Sequence, residues 1–148
     1  MPPVNPQLGG VFDPTRDVVV NAQVLSSGNA RVGGIGYTTG SGGSVTQLTN
    51  RTTAVTLNAL CGSITTNNAS LAAEAGAAFL VNNSAVGIND VVYLSQRSGA
   101  VGAMTDVVVS LTTNGSFTIN VMNNNASGGT AETGAIIINF LVLKGSTT

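Results

Sequence analysis

The chain has 148 residues, of which 5 are basic and 6 acidic, giving a net charge of −1 and a charged fraction of 7%; an average soluble domain carries about 25%. Histidine and tryptophan are absent and cysteine occurs once, which excludes Ser-His-Asp and Cys-His nucleophile systems, imidazole or thiolate metal sites, iron–sulfur clusters and an intrachain disulfide. The few basic residues are scattered and give no footprint for nucleic acid, and no run of about 18 apolar residues is present to span a membrane.

These exclusions leave a folded, non-catalytic β protein with no cofactor as the expectation. Disorder is disfavoured because disordered chains are poor in apolar residues and highly charged, whereas 43% of this chain is hydrophobic. The first residues, Met1-Pro2-Pro3-Val4-Asn5-Pro6, have neither a basic region nor an apolar core, so no secretory signal is expected.

All four prolines, at positions 2, 3, 6 and 14, fall in the first fourteen residues. Proline removes a ladder donor and is kept out of central strands, so Met1 to Asp17 reads as an extended arm. Residues 1–31 are accordingly taken as arm and first strand, and 32–148 as a β-sandwich domain. Two readings of the arm stand: a terminus folded over its own domain, or an arm that docks Val11 and Phe12 onto a neighbouring subunit. Pro3, Pro6, Val11, Phe12 and Arg16 are its candidate contact residues.

Beyond the arm, short β-branched runs alternate with Gly/Asn/Ser clusters, the pattern of an all-β sandwich or barrel. The runs are Val18–Leu25, Ser44–Leu48, Ala54–Ala59, Gly62–Thr66, Ala77–Asn82, Val91–Ser95, Val107–Thr112, Ser116–Asn123 and Ala135–Leu143, with a further short strand near Ile35–Thr38. They predict an antiparallel eight-stranded sandwich plus an N-terminal addition. Asn68 to Ala78 is the single helical candidate; its shortness and Gly76 favour a turn followed by a strand.

Between Val107–Thr112 and Ser116–Asn123 the apolar rows choose the loop. A two-residue turn at Asn114-Gly115 would oppose Leu111 to Thr118 and Val109 to Asn120, sending the apolar rows to opposite faces. A three-residue loop pairs Leu111 with Phe117 and Val109 with Ile119, and places Gly115 where a left-handed residue belongs. The last run is apolar on both faces: Ile136, Ile138, Phe140 and Val142 on one, Ile137, Leu141 and Leu143 on the other. Such a strand is either central to a two-sided core or buried at a subunit contact. The contact is preferred, which makes Ile137 and Leu141 contact candidates.

Candidate chemistry is sparse. The carboxylates Asp13, Asp17, Glu74, Asp90, Asp106 and Glu132 show no spacing that predicts a facing catalytic pair; Asp90 and Asp106 read as turn residues that lead into strands. No calcium-loop pattern occurs. The glycines at 33, 34, 36, 40, 42 and 43 lack the G-K-[ST] of a phosphate loop, and tight turns or a close glycine-rich crossing explain them better. Cys61 reads as a buried small hydrophobe. Arg31, Arg51, Arg97 and Lys144 are too dispersed for a patch and are expected at the solvent.

From about Gly36 to Gly145 the sequence resembles small structural proteins of tailed bacteriophages. The resemblance is carried by Gly-Gly-x-Val-Thr-Gln at 42–47 and Thr-x-Val-Thr-Leu-Asn-x-x-Cys-Gly-x-Ile-Thr at 53–65, and by FLVNNSAVGINDVV, GSFTINVMNNNASGG and AIIINFLVLKG further on. It implies a virion protein with a jelly-roll-like β-sandwich, made in the host cytoplasm and trimeric, decorating a capsid or belonging to a fibre, and it brings no catalytic residues. The expectation is a homotrimeric capsid decoration (cement) protein whose partners are its own copies and the major capsid protein. The alternative is a receptor- or carbohydrate-binding module of a fibre or spike that takes a host surface glycan.

Overall fold

A computed structural model describes residues 18–20, 23–25, 36, 37, 40–101 and 104–146. The chain divides into two compact units, Met1–Ser41 and Gly42–Thr148. In the first, the run expected as one strand is two: β1 (Val18–Val20) and β2 (Gln23–Leu25) pair antiparallel, with Val18 opposite Leu25 and Val20 opposite Gln23. The arm at 1–17 and most of the short strand expected near Ile35–Thr38 lie outside the described residues.

The second unit is all-β, with no helix among its described residues. Its strands are β3 (Gly42–Thr46), β4 (Val55–Thr56), β5 (Cys61–Thr65), β6 (Gly76–Asn82), β7 (Val91–Ser98), β8 (Thr105–Thr113), β9 (Ser116–Asn123) and β10 (Ile137–Leu143). They form two four-stranded sheets, one in the order β3-β5-β10-β7 and the other β4-β6-β9-β8. The sheets are mixed, which corrects the antiparallel expectation: β3 with β5 and β4 with β6 are parallel, while the remaining pairs are antiparallel. The cause is the path of the chain. From β3 to β6 each connection passes to the other sheet, so a strand returning to its own sheet runs in the direction of the one before.

Period-2 alternation places one side of each sheet in a shared core. Ile64, Phe79, Val81, Phe117, Ile119, Val121, Ile138, Phe140 and Val142 are all buried within it. Phe117 of one sheet meets Phe140 of the other with ring centroids 5.5 Å apart and planes tilted by 53°, a favourable aromatic geometry. The arrangement is therefore sandwich-like.

Several strand ends are set by local hydrogen bonds and turns. β3 stops before Gln47, whose buried amide donates to Thr53 O (2.7 Å) and Arg51 O (3.2 Å) and whose carbonyl accepts from Asn67 N (3.1 Å). β4 is shorter than the predicted Ala54–Ala59, although Leu57 N still donates to Asn82 O at 3.0 Å. In the helical candidate, Leu71 bridges to Glu132, a turn follows with Glu74 at φ 61°, and β6 begins at Gly76.

The β8–β9 hairpin corrects the predicted register near its tip. Thr113 pairs with Ser116 and Leu111 with Thr118, so the turn is Asn114-Gly115, while Val109 still pairs with Ile119. A β-bulge between Val109 and Leu111 reconciles the two. The extra residue, Ser110, lets the inner row stay in phase while the tip keeps its short turn. Leu111 is released outward and is 57% exposed, and Thr112 takes the place opposite Phe117. Gly115 has φ 81°, the left-handed conformation expected of it.

Candidate functional site

The candidate residues Ile137 and Leu141 belong to β10, which is central in its sheet between β5 and β7. Its alternation sends Ile136, Ile138, Phe140 and Val142 into the core and leaves Ile137, Asn139 and Leu141 half-buried on the outer face. Ladder register builds the rest of that face. Leu141 lies between Cys61 and Tyr93, Leu143 beside Val91, and Asn139 between Ser63 and Ser95. Tyr93 is 66% exposed, Val91 58% and Leu143 49%. One end of the face is thus apolar and the other is hydroxyl and amide.

Cys61 is half-buried on this outer face, which corrects its reading as a core residue. Its neighbour Gly62 occupies the inward position that the alternation assigns. The other candidate contact residues, Pro3, Pro6, Val11, Phe12 and Arg16, lie outside the described residues.

The second sheet also carries exposed apolar side chains on its outer face. Leu80, Thr118 and Leu111 form one row across β6, β9 and β8; Ala78, Asn120 and Val108 form the next. Leu80, Val108 and Met122 are each partly exposed along with Leu111. Hairpin reasoning from sequence put Leu111 inside, so this row was not anticipated.

Four charged groups, Arg51, Glu132, Asp90 and Lys144, are used structurally. Arg51 was expected at the solvent and is buried: its guanidinium donates to the carbonyls of Ala69, Glu132 (3.1 Å) and Gly134 (2.8 Å) and to Thr66 Oγ1 (3.3 Å). Loss of hydration pushes its pKa below the ordinary value, against the opposing charge of Glu132. Glu132 is itself buried, and its carboxylate accepts from Val101 N (2.9 Å), Gly134 N (2.6 Å) and Thr105 Oγ1 (2.8 Å).

Asp90 precedes β7, as expected, and its buried carboxylate accepts from Gly87 N (2.7 Å), Gly145 N (3.0 Å) and Lys144 Nζ. Burial pushes its pKa up, but the Lys144 bond and the two backbone donors together hold it below the usual carboxylate range. Asp106, expected in a turn, is the second residue of β8 and is exposed.

Sequence reasoning missed this buried polar set. Only Asn123 carried a signal: it continues the inward row Phe117, Ile119, Val121, and its amide donates to Leu71 O and Thr130 O, each at 3.0 Å. Every buried side-chain nitrogen and oxygen among the described residues has a hydrogen-bond partner. Within the same residues no group of three or more His, Cys, Asp or Glu is placed to hold a metal. What the geometry offers is surface for contact, two sheet faces with apolar patches, the second bordered by Asp106 beside Met122. No protein-family model, curated protein or solved structure matches the chain.

Proposed function

We propose that this chain is a structural protein of a phage virion, a homotrimeric decoration protein on the capsid surface that bridges and stabilises neighbouring subunits of the major capsid protein. The observation that carries the reading is the apolar outer face around Tyr93, Leu141, Val91 and Leu143 on a chain with so few charges. An isolated domain of this size is normally kept soluble by a surface that is roughly 25–35% charged. Here the sparsely charged surface suits coverage by other copies and by a shell, with many weak contacts adding through multivalent attachment. The sequence resemblance described above supports the same reading.

A jelly-roll-like description of the domain belongs to this proposal. Eight strands in two four-stranded sheets support it, while the parallel pairs β3–β5 and β4–β6 depart from the all-antiparallel form of that architecture. The cement role is tested by heating virions, and exposing them to chelator, with and without the protein. Depleted particles are expected to fail earlier; equal survival would refute the role. Light scattering on the free protein tests the trimer, and Tyr93→Lys is expected to shift it toward monomer.

Tyr93 also favours a second reading, a module that binds a host surface glycan. It is an exposed aromatic platform one row from Ser95 and Asn139, and sugar sites combine such a platform with a few polar groups. Binding of labelled protein to intact host cells, abolished by Tyr93→Ala, would decide for that reading.

A further inference from the structure

Asn114-Gly115 is the chain's sole Asn-Gly pair, and Asn114 is exposed at the tip of the β8–β9 hairpin. Asn-Gly is the dipeptide most prone to deamidation, because glycine leaves its backbone nitrogen unhindered. In that reaction the Gly115 nitrogen loses its proton and attacks Cγ of Asn114. The bond from Cγ to the side-chain nitrogen breaks, ammonia leaves, and water then opens the succinimide to aspartate or isoaspartate. An exposed turn would ordinarily permit this.

Both reacting groups are instead held by the loop between β6 and β7. Gly115 N donates to Val86 O at 2.8 Å, which occupies the proton that must be lost. Asn114 Oδ1 accepts from Ile88 N at 2.9 Å, which fixes the carboxamide. Asn83 N closes the clasp by donating to Gly115 O at 2.8 Å. The loop is anchored in turn through Gly87 N on the Asp90 carboxylate. We propose that Asn114 is a gated modification site: a water-dependent deamidation site shut in the folded protein and opened when this loop lifts.

The test follows the conversion of Asn114 by peptide mass spectrometry at mildly alkaline pH, in the folded protein and in urea at the same pH. The folded protein is expected to react about tenfold to a hundredfold more slowly, the factor for two ordinary hydrogen bonds that must open first. Ile88→Pro, which deletes one donor, is expected to speed the reaction while circular dichroism still reports the native fold. Should that variant not fold, Asp90→Ala loosens the same loop and is expected to act in the same direction. Hydrogen exchange of the Gly115 amide in the unmodified protein gives an independent reading, with protection expected. Equal rates in folded and unfolded protein, an unprotected Gly115 amide, or a folded loop variant reacting at the native rate would each overturn the proposal.

Discussion

Gly43 lies directly across the parallel β3–β5 ladder from Gly62, and Leu57 fills the space that their missing side chains leave. A Cβ on Gly62 would stand 2.7 Å from Gly43 O, 2.9 Å from Leu57 Cδ2 and 3.0 Å from Phe140 Cε1. A Cβ on Gly43 would clash only with the Leu57 side chain, at 2.7 Å from Cδ1. Gly62→Ala is therefore expected to destabilise the fold by about 1–3 kcal/mol, the usual cost of overpacking. Gly43→Ala should be partly rescued by Leu57→Val, and Gly62→Ala much less so, because a backbone oxygen cannot be trimmed. Urea denaturation of the single and double variants measures this coupling.

The buried carboxylate of Glu132 satisfies the backbone donors Val101 N and Gly134 N as well as the Thr105 hydroxyl. Glu132→Ala strands these donors, and each unsatisfied buried group costs about 1–3 kcal/mol. The loss should exceed about 2 kcal/mol in thermal or denaturant unfolding. Arg51→Lys is expected to be damaging as well, since a single ammonium cannot reach the four acceptors that the planar guanidinium spans.

Acid should weaken the fold through Asp90. Its carboxyl has a lower pKa in the native state than the ordinary 3.8, so between the two values the unfolded chain binds more protons. Its stabilisation is complete above the ordinary value and is lost as pH falls through the native one. Asp90→Asn is expected to flatten that part of the stability–pH curve. Lys144→Ala should cost under about 1 kcal/mol, because the lysine side chain is 56% exposed and its pair is screened by water.

Glu74 is the one non-glycine residue with positive φ among those described, at 61°, and its side chain is exposed. A side chain in this conformation costs roughly 1–2 kcal/mol relative to glycine. Part of that gain is offset by glycine's greater freedom in the unfolded chain. Glu74→Gly is expected to raise the melting temperature, whereas Glu74→Val should lower it.

Much of the sheet content was legible because alternation is a strong signal: β6, β9 and β10 fall within a residue or two of the predicted runs, and the inner row of β9 is the predicted apolar one. The hairpin shows where such reasoning ends. Apolar phase argued against the short turn, and the protein keeps both through Ser110. Nothing in the residues of β8 announces an extra one, because a bulge is set by its partner strand and by the anchoring of the tip at Val86 and Ile88. The parallel pairs were equally hidden, since alternation reports which face a residue occupies and says nothing about strand direction. Arg51 and Glu132 stand 81 positions apart and meet only through the fold; their burial had no local cue. The doubly apolar last strand likewise left open which face turns outward; the pairing of β10 with β5 and β7 sets Ile137 and Leu141 on the outer one.

The passage of β3, β4, β5 and β6 back and forth between the sheets has a kinetic consequence. Each parallel pair can close only after the chain has crossed to the opposite sheet and returned, so no local hairpin can seed this half of the domain. Contacts of long sequence separation slow folding, and the β8–β9 hairpin is the natural early element. Once wound, β5 is held between β3 and β10 and β6 between β4 and β9, so neither can leave its sheet before a neighbour does. Resistance to unfolding is then a matter of rate as much as of equilibrium.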